Sequence, residues 1–219
     1  TDLQEVERQE KAKEEIINEM WDNTKELLGG YYWLLLRDLR VNVNGNITDY
    51  CVVKVGLTYQ PFHNRLNALK LALEKCNFTH EVIRKQSIFD PGPSHENKIR
   101  KKCGITFQPS DIGYNYNTTN ALFKDHPMIN FAYHVGMLFG VPTKELASKL
   151  PSTEFVIMKV SEISRLKEVI DAADKIPNKM QISEYIVAHL DLDINISSGT
   201  TITVSWDLGT PGNFSFVVQ

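Results

Sequence analysis

Five side chains in the first half of the chain could together cleave a phosphodiester bond: Tyr31, Tyr32, Lys54, Arg65 and Glu96. A carboxylate such as Glu96 can hold a hard divalent cation, and an arginine beside it offsets the negative charge that develops on the phosphate. A tyrosine or a lysine can position or deprotonate the attacking water. These residue types therefore indicate metal-assisted hydrolysis of a phosphodiester, if the fold brings them together.

The elements that must position these side chains follow from the pattern of apolar residues and turns. Two nearly continuous apolar runs predict strands at about 31–39 and 50–57, joined by an Asn44-Gly45-Asn46 turn that supplies the positive φ a hairpin needs. Strands of this composition should be covered on both faces. The pattern then predicts a helix at 63–76, a third strand at 79–89 and a helix at 94–103. The predicted fold class is α+β, with a small mixed or antiparallel three-stranded sheet flanked by helices.

The order of these motifs resembles the GIY-YIG nuclease superfamily. Gly30-Tyr31-Tyr32 lies on the first strand, Lys54-Val55-Gly56-Leu57-Thr58 lies on the second, and Arg65-Leu66 follows on the next helix. A further strand and Glu96, at the start of a helix, complete the set. The closest branch is the viral and phage type, whose second motif reads K-I-G-x-T. The resemblance covers about residues 29–105.

This resemblance implies a divalent-metal-dependent endonuclease with Mg²⁺ or Mn²⁺ as cofactor. It implies that Tyr32 is the tyrosine of the first motif, and that Lys54 stands where many members have a tyrosine. Arg65 would be the arginine that contacts the scissile phosphate, and Glu96 the single glutamate that binds the metal. The family often adds a late asparagine, and the alternatives for it are Asn115, Asn117 and Asn120.

The most basic part of the chain follows Glu96 and could bind a nucleic-acid backbone. Its cations are Lys98, Arg100, Lys101 and Lys102. On a nuclease such a run would make binding depend on salt concentration. In the loop 112–120, tyrosines could stack on unpaired bases beside Asn117. The alternative is that the run is a solvated helix face and the loop an ordinary polar surface.

Two further parts flank the predicted nuclease-like region at 29–125. Residues 1–28 carry an amphipathic pattern that predicts one helix or two, packed on the sheet or on a partner chain. Residues 126–219 predict an α/β extension of unknown role. Its elements are helices at 127–139 and 143–150, a strand at 154–160, a helix at 161–175, a segment at 181–190, and strands at 200–207 and 213–218.

Composition sets bounds on the class of protein. The 219 residues are 42% hydrophobic and carry a formal net charge of −3, so any nucleic acid must be bound by a local patch. Three cysteines without metal-ligand spacing favour reduced thiols and a cytoplasmic or nuclear location. No apolar run is long enough for a membrane span, so we expect no membrane partner. Sequons at Asn46, Asn77, Asn117, Asn195 and Asn213 keep a secreted glycoprotein as an alternative.

The sequence thus leaves two main functions open. The first is a metal-dependent endonuclease that hydrolyses nucleic acid, with DNA as the expected partner. The second is a non-catalytic binding or self-assembly protein, conceivably viral, that uses the same scaffold or another α+β scaffold in a homo-oligomer. The amphipathic N-terminal helix and the overall acidic charge motivate the second function, because a scaffold can keep its shape without its chemistry.

Overall fold

A computed structural model describes residues 2–89, 93–107, 154–209 and 211–219. The helices are α1 (Asp2–Thr24), α2 (Phe62–Lys75), α3 (Pro93–Cys103), α4 (Ile163–Asp174) and α5 (Ile182–His189). The strands are β1 (Gly30–Leu36), β2 (Arg40–Val43), β3 (Tyr50–Thr58), β4 (His80–Ser87), β5 (Ile105–Thr106), β6 (Phe155–Lys159), β7 (Thr201–Asp207) and β8 (Pro211–Val217). The predicted α+β class is confirmed. The helices predicted at 127–139 and 143–150 and the loop at 112–120 lie outside the described residues.

The main sheet has five antiparallel strands in the order β4-β1-β3-β6-β5. The three predicted strands are its first three, with β1 between β4 and β3. The sheet has two more strands than the three predicted, because β6 pairs with the free edge of β3 and β5 pairs with β6. A strand from the predicted C-terminal extension therefore belongs to the sheet that carries Tyr32 and Lys54.

Both faces of the sheet are covered, as the continuous apolar runs of β1 and β3 predict. Tyr31 and Trp33 point to one side, where they join a core with residues of α3, α4 and α5. Tyr32 and Leu34 point to the other side, where the core includes residues of α2 and of a second sheet. All four side chains are buried. Side chains on alternate faces of one strand thus reach separate cores.

The turn at Asn44 and Gly45 has the predicted positive φ, at 52° and 83°. It does not join two strands of the main sheet, however, which corrects the predicted hairpin. The first strand ends at Leu36, and β2 crosses to a second sheet of order β2-β7-β8. Burial alternates along β2, with Val41 and Val43 inside, so this strand covers the main sheet with one face only.

The N-terminal helix forms as predicted over Asp2–Thr24, followed by a short 3₁₀ turn at Lys25–Leu27. Trp21 is its buried residue and packs edge-on against Phe89, with ring centroids 5.2 Å apart. Apolar side chains elsewhere on the helix are exposed: Leu3, Val6, Ile16 and Met20. Among the helices that the structure describes, none has both the length and the apolar character needed to cross a bilayer.

Candidate active site

Lys54 lies at the centre of the candidate site. It stands in the middle of β3, opposite Leu34, and its side chain is completely buried. Its ammonium lies 5.2 Å from the centroid of the Tyr32 ring and donates a hydrogen bond to the Glu154 carboxylate. A buried ammonium is stable only with such a partner, because burial removes its hydration. The sequence therefore places a fixed positive charge inside the sheet.

Glu154 reaches Lys54 because it directly precedes β6, the strand that pairs with β3. Its carbonyl oxygen accepts a hydrogen bond from Val55 N at 2.9 Å, one residue beyond the Lys54–Phe155 pair. The backbone of Glu154 is left-handed, with φ at 66°. Such a conformation is unusual for a residue with a side chain and persists where the surroundings compensate for its strain. The Lys54–Glu154 ion pair supplies one such compensation.

Arg100 and Glu96 form the other wall of the site, on α3. Arg100 is 3% exposed, and its Nε and Nη2 donate to Val55 O at 3.3 and 3.1 Å. Its other donors reach Asn97 Oδ1 at 2.8 Å and Glu96 Oε1 at 2.5 Å. Val55 O sits where β6 begins, so the guanidinium satisfies a strand carbonyl at that end of the ladder. The same contacts hold the Glu96 carboxylate next to β3.

The pKa values of the two carboxylates, Glu96 and Glu154, are shifted in opposite directions. Burial raises the pKa of Glu96, and the neighbouring Glu154 charge raises it further, against the opposing effects of Arg100 and Lys54. Burial also acts to raise the pKa of Glu154, but Lys54, Arg100 and Arg65 together lower it below its ordinary value. Burial acts to lower the pKa of Lys54, and Glu154 and Tyr32 outweigh that effect, so the pKa is raised. Lys54 and Glu154 are therefore both charged at neutral pH.

The four residues predicted from the sequence are related to this site by one contact and by electrostatic interactions. Tyr32 and Lys54 contact each other, Lys54 and Glu96 influence each other's charge, and Arg65 acts electrostatically on Glu154. Arg65 is half-buried on α2. These four residues span 65 positions of the sequence and lie on β1, β3, α2 and α3.

The predicted nucleic-acid-binding residues differ in their exposure to solvent. Lys98 and Lys101 are exposed on α3, and Lys102 is half-buried. For Arg100 the prediction was wrong. Its guanidinium is buried and bonded to Val55 O, Asn97 and Glu96, and it does not face solvent. Asn117 lies outside the described residues.

Sequence reasoning did not find Glu154 or the internal role of Arg100. Glu154 is 100 positions from Lys54 along the chain, and its one local signal is its place directly before the apolar strand Phe155–Lys159. Arg100 lies within a run of four basic residues in five positions, which reads as a solvated helix face. Its neighbour Ile99 is fully buried, and that apolar position was the available sign that the run is not uniformly exposed.

Glu96 fits the role of a ligand for Mg²⁺ or Mn²⁺ in a site completed by water and phosphate. Its side chain is 20% exposed, and a magnesium site commonly needs just one or two protein carboxylates. Within the described part of the chain, no group of three or more His, Cys, Asp and Glu residues is placed to hold a metal ion.

A separate cleft of about 390 Å³ opens at the outer edge of β4. Trp21, Phe62, Lys85 and Asp174 are among its lining residues, whereas Lys54, Glu96, Arg100 and Glu154 are not. Its charges are mixed, and Arg84 in its wall is already paired with Asp171 at 2.9 Å. The cleft is therefore a surface feature distinct from the candidate active site.

Gly56 is required by the close approach of Tyr32 to β3. A Cβ atom at position 56 would overlap the Cζ and hydroxyl atoms of Tyr32, its cross-strand partner. We expect Gly56→Ala to displace the ring and lower the free energy of unfolding by about 1–3 kcal/mol, the usual cost of overpacking. Urea unfolding checks this. In a Tyr32→Leu background the same alanine should cost clearly less, and an equal cost in both backgrounds would contradict the assigned clash.

No protein-family model matches the chain, and neither does a curated protein or a solved structure. The likeness to GIY-YIG nucleases continues to rest on Tyr32, Lys54, Arg65 and Glu96 and on the order of the elements that carry them.

Proposed function

We propose that the chain is a divalent-metal-dependent endonuclease of the GIY-YIG type, which hydrolyses phosphodiester bonds of DNA. One observation supports this above the others. Tyr32, Lys54, Arg65 and Glu96 were selected by their order in the sequence. Lys54 contacts Tyr32 and Glu154, and Glu96 and Arg65 each interact electrostatically with Glu154.

The chemistry assigned to each side chain follows from its surroundings. Glu96 offers a carboxylate oxygen to Mg²⁺ or Mn²⁺, which when bound offsets phosphate charge and activates water. Arg65, half-buried on α2, would hold the scissile phosphate. Lys54 serves as a fixed positive charge and not as a base, because its raised pKa keeps it protonated at neutral pH.

Tyr32 is the residue left to orient the attacking water. Its hydroxyl is buried and makes no hydrogen bond that meets the geometric limits within the described residues, although it lies close enough to Lys54 to help raise the pKa of that ammonium. A buried polar atom without a partner is costly, and such atoms concentrate where a substrate or water completes the site. Lys54 lies over the same ring and would stabilise negative charge that develops beside the hydroxyl.

Cleavage assays test the proposal directly. We expect the wild-type chain to nick supercoiled plasmid with Mg²⁺ or Mn²⁺, and Glu96→Gln and Arg65→Ala each to lower the rate by about 100-fold or more. Single-stranded DNA and RNA serve as parallel substrates. Glu168→Gln is the matched control, because Glu168 pairs with Arg165 on an exposed face of α4.

The control variant should cleave at the wild-type rate. Thermal unfolding of every variant verifies that loss of activity is not loss of fold. Metal-dependent cleavage that survives Glu96→Gln would overturn the assignment of the metal ligand. A folded wild-type chain that cleaves none of the three substrates with either metal would overturn the proposed activity.

The exposed apolar residues of α1 favour self-association as a second candidate function. Leu3 is 71% exposed, Ile16 58% and Met20 54%, on a helix whose buried residue is Trp21. Apolar side chains left open along a helix commonly pack against another chain. Light scattering over a range of concentrations tests this candidate, and a mass of 25.0 kDa at every concentration would exclude it.

A further inference from the structure

Three cations of the candidate site act on a single carboxylate. Lys54 donates a hydrogen bond to Glu154, and the charges of Arg100 and Arg65 add to the lowering of the Glu154 pKa. Glu96, the other carboxylate nearby, is held by Arg100 at 2.5 Å. Glu154 is therefore a carboxylate on which all three cations act, and Lys54 is the one that bonds to it directly.

This set of cations is chemically suited to a phosphate or phosphodiester oxyanion. Arginine guanidinium groups and lysine ammonium groups are the usual partners of phosphate oxygens, with short charge-assisted hydrogen bonds. A phosphate or phosphodiester presents the same kind of acceptor oxygens as the Glu154 carboxylate. Both would compete for the Lys54 ammonium, which is completely buried behind that carboxylate.

Glu154 is placed so that it can be replaced. Its side chain is 29% exposed, whereas Lys54 is 0% exposed, so the carboxylate lies between the ammonium and solvent. Its left-handed backbone, with φ at 66°, is a strained conformation that the ion pair helps to maintain. Loss of the ion pair would remove one interaction that stabilises this backbone conformation.

We propose that Glu154 is a resident anion of a phosphate-binding site, and that a phosphate group binds by taking its place at Lys54. The inference rests on the proposed function in so far as that function makes the site a phosphate-binding one. It assigns to Glu154 a role that the proposed catalytic set does not contain. Glu154 reduces the affinity for phosphate by pairing with Lys54 in the absence of substrate.

Phosphate binding by Glu154 variants tests this role without any measurement of cleavage. We expect Glu154→Gln to bind inorganic phosphate about tenfold more tightly than wild type, because Lys54 is no longer paired with a carboxylate in the free chain. Glu154→Asp keeps the charge with a shorter reach, so its affinity should fall between the two. Isothermal titration at constant ionic strength measures the affinities, and the rise of Tm with phosphate concentration gives an independent value.

Two matched variants locate the effect. Glu168→Gln removes an exposed carboxylate and should bind phosphate as wild type does. Lys54→Met combined with Glu154→Gln removes the cation as well and should abolish the gain. Phosphate bound no more tightly by Glu154→Gln or Glu154→Asp than by wild type would overturn the proposal, and so would a gain that persists without Lys54. Should Glu154→Gln not fold, the comparison of Glu154→Asp with wild type decides.

A second titration, with a short oligodeoxynucleotide without a terminal phosphate, separates the two sources of a phosphate group. A gain for both probes identifies a backbone phosphate as the group that replaces Glu154, and a gain for inorganic phosphate alone identifies a free phosphate.

Failure of the proposed role of Glu154 is distinguishable from failure of the proposed function. Cleavage that depends on Glu96 together with unchanged phosphate affinity refutes the resident anion alone, whereas tighter phosphate binding without any cleavage refutes the nuclease alone.

Discussion

Replacing Arg100 with methionine lowers the free energy of unfolding by about 3–5 kcal/mol, the range typical for removing one partner of a buried charge pair. The guanidinium is 3% exposed and donates to Val55 O, Asn97 and Glu96. Methionine fills a similar volume but donates nothing, so Val55 O and the Glu96 carboxylate each lose a partner. A buried acceptor without a donor is one of the larger single costs in a folded protein.

Urea unfolding monitored by circular dichroism measures this effect, with Lys101→Met as the matched control. Lys101 is the next residue on α3 and is exposed, so its substitution should change stability by less than about 0.5 kcal/mol. DNA binding should show the opposite order. Lys101→Met should reduce its dependence on salt concentration more than Arg100→Met does, because the Lys101 side chain is exposed to phosphates and Arg100 is buried. A loss of stability for Arg100→Met no larger than that for Lys101→Met would show that the guanidinium contacts contribute little.

Local signals were sufficient to predict most elements of the fold. The helices at Phe62–Lys75 and Pro93–Cys103 and the strand at His80–Ser87 match their predicted positions within a few residues. Apolar periodicity and turn residues encode such elements within a short stretch of chain. The same signals also predicted the strand at Phe155–Lys159 and the two strands after Thr200.

Long-range pairing could not be predicted in the same way. The turn at Asn44 and Gly45 suggested a hairpin within one sheet, yet Val41 and Val43 on β2 pair with Val204 and Ile202 on β7, more than 150 residues away. Nothing local to residues 40–43 specifies that partner. The choice depends on which strand can bury the apolar side of β2.

The candidate site likewise combines residues that the sequence could predict with a residue that depends on long-range pairing. Tyr32, Lys54, Arg65 and Glu96 could be selected because a family resemblance orders them along the chain. Glu154 could not, since its role arises from the pairing of β6 with β3, which brings its carboxylate to Lys54. A residue whose function is to satisfy a buried charge becomes visible when the position of that charge is known.

Substitution of Lys54 by methionine should also destabilise the chain by about 3–5 kcal/mol, because the Glu154 carboxylate loses its partner in a largely buried site. The stability difference from wild type should depend on pH in a specific way. The pKa of Glu154 is lowered, so its contribution is present above its ordinary pKa of about 4.5 and is lost as pH falls through the lowered value. The pKa of Lys54 is raised, so its contribution is present below about 10.5 and is lost as pH rises through the raised value.

Urea unfolding of wild type and Lys54→Met across this range measures the difference directly. It should be largest between neutral pH and about pH 10 and should shrink on acidification, because the unpaired Glu154 carboxylate of the variant takes up a proton more readily than the paired one of the wild type. Lys159→Met is the control, because Lys159 pairs with Asp193 at 2.7 Å near the surface and should contribute little. A difference that stays the same at pH 3 would mean that Lys54 stabilises the sheet by packing alone, and the buried ion pair would then no longer explain why a charged residue stands at the centre of β3.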